Sequence, residues 1–287
     1  MYIVTIVTPV NIRSGLSETV HIIPLGHEID RAVKPFTRTR ADRAYVLTVP
    51  KAADLDPEMN NKQQFFLDRV IEELQGFGIP VTFVPVNMFS IPDVMRVIAR
   101  IIRTEQEVGN RVLVNMSSCG RKTSVAVTLA AMVHDAAVYY VSADRYASSG
   151  GPEDERRHGL SVVEEVRTEM FQNFRIMMPK HENLLLLAEL YRRRHEGDGR
   201  MESDMIIEFF HESGVYGFSS DDLPPKKNRG YEPGGRKRAL LNRINRGFLE
   251  ELERQGYVER IREGRRFSIR ITEAGEYIAC VSGLLED

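Results

Sequence analysis

The sequence predicts an α/β protein in which a Rossmann-like, doubly wound parallel sheet is followed by a winged helix-turn-helix. Three observations lead there. Strand-like and helix-like stretches alternate five times before residue 142. After Pro179 the pattern changes to three amphipathic helices and a two-stranded hairpin. The charge also divides: Lys226 to Arg270 carries fourteen Lys/Arg against six Asp/Glu, whereas the 287-residue chain has 39 against 41. A basic segment on an acidic body is what a phosphate-backbone binder needs locally. The expected divisions are an N-terminal extension or extra strand at 1–18, a Rossmann domain at 19–178 and a winged helix at 179–287.

The elements follow in order. Residues 20–25 (VHIIPL) are a short β-rich run ending at Gly26, and HEIDRAVKPF after it has helical spacing that Pro35 closes. Residues 43–49 form a second strand. A helix from about 60 to 75 places Phe65, Phe66, Val70, Ile71 and Leu74 on one face. Residues 81–86 are a third strand, and Ser90 is a suitable N-cap for a helix through Val94, Val97, Ile98, Ile101 and Ile102. RVLVN (111–115) is strand four, 120–134 a small-residue helix, and AVYYV (137–141) strand five. Short, continuous, β-branched strands suit a parallel sheet covered on both faces, wound with right-handed crossovers. Residues 142–159, rich in Ser, Gly and charge, read as a flexible surface loop.

Ligands of such sheets sit outside the carboxyl ends of the strands, at the switch point of strand order. That rule selects the loop after strand one, with Gly26 and His27, and the loop after strand four. His27 reads equally as a ligand contact or as a solvent-facing helix start. The second loop is NMSSCGRKTS, residues 115–124. Gly120 permits tight backbone geometry at a helix N-terminus, whose first amides lack intrahelical acceptors. Asn115, Ser117, Ser118 and Thr123 add polar groups, and Arg121 and Lys122 add charge, so the loop reads as an anion site suited to phosphate. It lacks the P-loop, GxGxxG and GxSxG patterns, which disfavours a nucleotide triphosphatase, a dinucleotide oxidoreductase and a serine hydrolase. Cys119 reads as a small buried residue, with no histidine nearby in sequence to act as a base.

In the last third, helices are expected at 181–195, 203–212 and 236–255, followed by a hairpin over 256–271 and a final helix from Thr272. Three helices and a hairpin with a basic tip make a winged helix. The polar face of the third helix offers Arg236, Lys237, Arg238, Asn242, Arg243, Asn245 and Arg246, types that read base edges in the major groove. Arg262, Arg265 and Arg266 on the wing would meet phosphate or the minor groove. Pro224–Gly230 reads as a mobile basic arm or a solvated loop. The expected partner is double-stranded DNA, with protein contact as the other use of this fold.

Composition bounds the remainder. Two cysteines, Cys119 and Cys280, sit far apart, and the seven histidines show no metal-ligand spacing, so neither a disulfide framework nor a metal is expected. No other cofactor is expected either. A reducing cytoplasm is the default, no stretch is apolar enough for a membrane span, and MYIVTIVTPV lacks the marks of a signal peptide.

The sheet, the NxSSxGRKT loop after strand four, the opening VHIIPLGHEIDRAVKPF and the C-terminal winged helix together resemble the archaeal CARF–winged-helix transcription regulators, CARF being the CRISPR-associated Rossmann fold. The resemblance spans about residues 19–283. It implies a homodimer that senses cyclic oligoadenylate across its two-fold axis. Gly26 and His27 would lie in one ligand loop, and Asn115, Ser117, Ser118, Gly120, Arg121 and Lys122 in the other. Cys119 stands where a glycine is common in that family. The resulting expectation is a ligand-responsive DNA-binding regulator. The alternatives are a ring nuclease that cleaves cyclic oligoadenylate and a winged-helix adaptor that binds protein.

Overall fold

Strand order decides where this fold can hold a ligand. The computed structural model describes residues 17–50, 56–172, 174, 176–227, 230–263 and 266–285. Residues 1–16 of the expected N-terminal extension, and Arg265 of the wing, lie outside them. The chain forms two compact units, which divide between Met177 and Met178.

The first unit is built on a six-stranded sheet in the order β3-β2-β1-β4-β5-β8. Strands β1 (Thr19–Pro24), β2 (Arg43–Thr48), β3 (Val81–Pro85), β4 (Arg111–Asn115) and β5 (Ala137–Val141) are parallel, and β8 (Thr168–Met170) pairs antiparallel with β5. Winding runs outward from β1 to β3, then returns to the other side of β1 at β4. The switch point therefore lies between β1 and β4, whose register sets Ile22 opposite Val114. The loops after these two strands are the ones the sequence selects.

Both faces of the sheet are covered, which explains the near-continuous apolar strands. Phe66, Leu67, Val70 and Leu74 of α2 (Pro57–Gly76) pack with Ile23, Ala44 and Val46, and with Ala32 and Val33 of α1 (Asp30–Val33). Helix α3 (Ile91–Glu107) is capped by Ser90, which accepts from the Asp93 amide at 3.3 Å, and packs on α4 (Arg121–Val133). At the opposite end of the sheet, Glu105 accepts from Arg43, from the Tyr45 hydroxyl at 2.5 Å and from Asn110 at 2.7 Å.

Residues 142–163 correct the expectation of a flexible loop. They fold as β6 (Arg145–Tyr146), a 3-10 turn, α5 (Pro152–His158) and β7 (Ser161–Val162), with β6 and β7 paired. The segment is fastened to the loop after β1. The Leu160 amide donates to the His27 carbonyl at 2.8 Å, the Ile29 amide donates to the His158 carbonyl at 3.2 Å, and Glu28 bridges to Gly159. Gly159 has φ +82°, and a Cβ there would lie 2.7 Å from Glu28 Cα, so only glycine suits this contact. A composition that looks loop-like here serves a turn pressed against backbone.

The second unit runs α6 (His181–Glu196), β9 (Arg200–Glu202), α7 (Ser203–Glu212), a short hairpin of β10 (Lys226–Lys227) and β11 (Gly230–Tyr231), α8 (Gly235–Ile244), α9 (Glu250–Arg254), β12 (Val258–Glu263), β13 (Arg266–Ile271) and α10 (Glu273–Val281). Strands β12, β13 and β9 form one antiparallel sheet. The expected helix 236–255 carries a π turn at Asn245–Leu249, between α8 and α9. Its buried residues explain the turn: Leu240, Ile244, Leu249 and Leu252 are spaced four, five and three apart. One extra residue in the turn keeps Leu249 and Leu252 on the core side. Strands β8 and β9 have no counterpart in the sequence reading, because each is only three residues long and takes its place by pairing with a distant partner.

Candidate functional site

The loop from β4 to α4 is divided between inside and outside. Asn115 is buried; its Nδ2 donates to the Arg31 carbonyl at 2.9 Å, and its Oδ1 accepts from the Ser117 amide at 2.9 Å and the Ser117 hydroxyl at 2.6 Å. The Ser117 hydroxyl in turn accepts from the Val141 amide at 3.1 Å. Ser118 donates to the Pro24 carbonyl at 2.9 Å, and Thr123 to the Met88 carbonyl at 2.9 Å; both are buried. The loop amide of Gly26 donates to the Ser118 carbonyl at 2.8 Å. The polar groups expected to hold a ligand thus tie the ends of β1, β3, β4 and β5 together. Buried hydroxyls and amides need such partners, and here the protein supplies them. Asn115, Ser117, Ser118 and Thr123, expected as ligand contacts, thus direct these hydrogen-bonding groups into the fold.

Gly120, Arg121 and Lys122 are exposed. Gly120 is the N-cap of α4, and no side chain caps the helix. The first-turn amides therefore retain the positive end of the helix dipole without a side-chain acceptor. Neither cation forms an ion pair among the described residues. Down the same face of α4, Val125 is 54% exposed and Leu129 36%, each one turn beyond the last. Phe89, in the loop after β3, is 67% exposed.

Around this mouth, His27 stacks on Phe66 with ring centroids 5.0 Å apart. Burial first, then nearby Lys62, holds its pKa below the ordinary histidine value, so it is neutral near pH 7. Glu28 accepts from the Ser161 amide at 3.1 Å and its hydroxyl at 2.8 Å, and burial raises its carboxyl. Arg31 lies over the Tyr140 ring at 5.4 Å and donates to its hydroxyl at 3.1 Å. Burial pushes the Cys119 thiol up to about 11, which disfavours the thiolate.

In the second unit, Arg236, Arg238, Asn242, Arg246 and Arg262 are exposed and have no ion-pair partner among the described residues. Two other expected DNA contacts are engaged within the protein. Lys237 is half-buried, with Nζ 2.7 Å from Asp204 and donating to the Tyr231 carbonyl at 3.2 Å, so it fastens α8 to α7 and β11. Arg243 donates to the Gly217 carbonyl. Both are charged and α8-borne, but their groups are turned toward neighbouring backbone or carboxylate. For Arg266 only the backbone, in β13, is described, and the expected basic arm is the β10–β11 hairpin, with Asn228 and Arg229 outside the described residues.

Two family models match the chain. One, described as "HFX_2341_N:-like, N-terminal", covers residues 19–146. The other, "DUF6293 C-terminal winged helix domain", covers residues 182–283. The second model covers nearly all of the second unit. With the switch-point sheet before it, the chain has the Rossmann-like sheet plus winged-helix architecture the sequence predicts. No curated protein matches the sequence. Among solved structures, VC1899 from Vibrio cholerae is 13% identical with a TM-score of 0.36, covering 91% of this chain and 64% of that one. Can2 from Sulfobacillus thermosulfidooxidans, in complex with cyclic tetra-adenylate, is 12% identical with a TM-score of 0.36, covering 79% and 57%. Enterococcus italicus Csm6, bound to cyclic hexa-2′-fluoro-hexa-dAMP, is 9% identical with a TM-score of 0.39, covering 84% and 59%. The chain thus spans less than two thirds of each. Among the described residues no helix is long and apolar enough to cross a membrane, and no group of three metal-ligating side chains comes together.

Proposed function

We propose that this protein is a homodimeric, ligand-responsive DNA-binding regulator. An anionic nucleotide binds at the mouth of α4, and the winged helix reads DNA with α8 in the major groove. The observation that carries this reading is the division of one loop. Asn115, Ser117, Ser118 and Thr123 hold the strand ends inside, while Gly120, Arg121 and Lys122 are exposed and no side chain caps α4. Folding alone needs the first set and has no use for the second. Gly26 and His27 flank the same edge.

The exposed stripe of Arg121, Lys122, Val125 and Leu129 supports a dimer formed along α4. Apolar residues further down that face would bury against a second copy and bring two pairs of cations together. A ring of phosphates is a fitting guest for such a doubled site. Cyclic oligoadenylate, which the CARF resemblance implies, is therefore the first ligand to try. Arg236, Arg238, Asn242, Arg246 and Arg262 are the free groups for DNA. A two-fold dimer places half-sites about 34–36 Å apart.

The test is fluorescence anisotropy of a labelled duplex with and without cyclic tetra-adenylate. The expected outcome is a shift in DNA affinity of about 5–150-fold, absent in Arg121→Ala/Lys122→Ala. Linear adenylate products beyond stoichiometric yield would make the protein a ring nuclease instead. DNA retention that salt does not weaken, or none at all, would favour an adaptor.

A further inference from the structure

Tyr216 is 98% exposed, the most exposed of the large apolar side chains. Its backbone is fixed on both sides. Val215 and Phe218 are buried, and Phe218 packs on Phe210 with ring centroids 5.1 Å apart. The Val215 amide donates to the Phe210 carbonyl at 2.9 Å, the Phe218 amide to the Val215 carbonyl at 3.1 Å, and His211 Nδ1 lies 2.7 Å from the Phe218 carbonyl. Gly214 at φ +67° and Gly217 at φ +83° make the two bends. The aromatic ring is thus held out in water by a closed turn.

The turn is also joined to α8. The Arg243 guanidinium, from the outward face of that helix, donates to the Gly217 carbonyl. A Cβ at Gly217 would collide with the guanidinium, so the glycine admits the arginine as well as the bend. Tyr216 therefore stands one residue from the point where the cationic face of α8 meets the turn. On the other side of that point, Asp222 accepts from the Ser219 amide at 3.0 Å and its hydroxyl at 2.6 Å, so this carboxylate is already engaged.

We infer that Tyr216 contacts the DNA backbone beside the groove that α8 enters, its ring against deoxyribose and its hydroxyl donating to a phosphate. This assignment rests on the DNA-binding reading of the winged helix. A phenol has an apolar body and a polar tip, which suits a sugar followed by a phosphate. Fixing it before binding removes part of the ordering cost. The neighbouring cations favour a polyanion over an apolar protein surface.

The experiment uses the full chain and a labelled duplex, with wild type, Tyr216→Phe and Tyr216→Ala. Tyr216→Phe should weaken binding about tenfold, the loss of one hydrogen bond to a charged acceptor, and Tyr216→Ala should weaken it further, because the ring contact goes too. The loss should be equal on specific and random duplexes, because phosphate carries no sequence. The slope of log affinity against log salt should be unchanged, since a neutral donor releases no counterion. Thermal unfolding should be unmoved by either change. If wild type binds DNA and Tyr216→Phe binds equally well, the hydroxyl–phosphate assignment falls while the DNA-binding reading stands. If wild type binds no duplex, the DNA-binding reading itself falls, and this assignment with it.

Discussion

The α4 mouth and the α8 face look alike as text. Each is a polar, cationic stretch opening a helix, and each is expected from its residue types to touch a negatively charged partner. The structure treats them differently. At α4, Asn115, Ser117 and Ser118 before the helix and Thr123 in its first turn bond inward and tie the strand ends together, while Gly120, Arg121 and Lys122 stay exposed. Along α8 and the π turn after it, Arg236, Arg238 and Arg246 stay in solvent, while Lys237 and Arg243 are drawn back to neighbouring groups. A serine beside four strand ends finds backbone partners within reach. An arginine on the outer face of a three-helix unit finds few. Residue type sets what a group can bond to, and the surroundings decide whether that capacity faces the fold or a partner.

The largest effect that would break this contrast is expected at Asn115. Asn115→Ala removes its bonds to the Arg31 carbonyl and to Ser117, leaving buried groups unpaired. It should destabilise the fold by about 3 kcal/mol in urea unfolding; an unchanged midpoint would mean the loop is not holding the strands.

His21 tests the inward half by pH. It is buried on β1, 3.1 Å from the Tyr139 hydroxyl, and burial lowers its pKa from 6.5 to about 4. The folded state therefore disfavours the imidazolium. Its contribution is complete above pH 6.5 and is lost as pH falls toward 4, with a size of about 3 kcal/mol. The gap in urea midpoint between pH 7 and pH 4.5 should shrink in His21→Gln, and a gap as wide as in wild type would refute the assignment.

The outward half predicts the reverse pattern. Arg121→Ala/Lys122→Ala should leave stability within about 0.5 kcal/mol while lowering cyclic nucleotide affinity at least about tenfold by calorimetry, as expected for two charge-assisted contacts. The sharpest comparison is between Arg246 in the π turn and Lys237 on α8. Arg246→Ala should reduce the salt slope of DNA binding by about one. Lys237→Ala should leave that slope unchanged and instead destabilise the winged helix by about 1 kcal/mol, the scale of a partly exposed ion pair.

Much of this molecule is legible in its residues. Continuous apolar runs placed the five parallel strands, and runs of period 3.6 the long helices, to within a few residues, because burial on two faces or one stripe imposes that pattern directly. The two ligand-edge loops follow from strand order. What was not legible is short or long-range. Strands β8 and β9 exist through partners far away in sequence. The segment 142–163 reads as loop because its glycines and charges serve close contacts with residues 27–30. The π turn is visible only as a five-residue gap between Ile244 and Leu249, which a fixed helical period smooths over.

By itself, then, the sequence determined the alternation of elements, the division of charge between the two halves and the chemistry available at each loop. These depend on local spacing and on composition, which any one stretch of chain carries. The tertiary structure alone decided which polar groups remain available: whether Ser118 meets a carbonyl or a ligand, whether Lys237 meets Asp204 or a phosphate, and whether Tyr216 is covered or held out. Those outcomes depend on what the rest of the chain brings within about 3 Å of each group, the reach of a hydrogen bond.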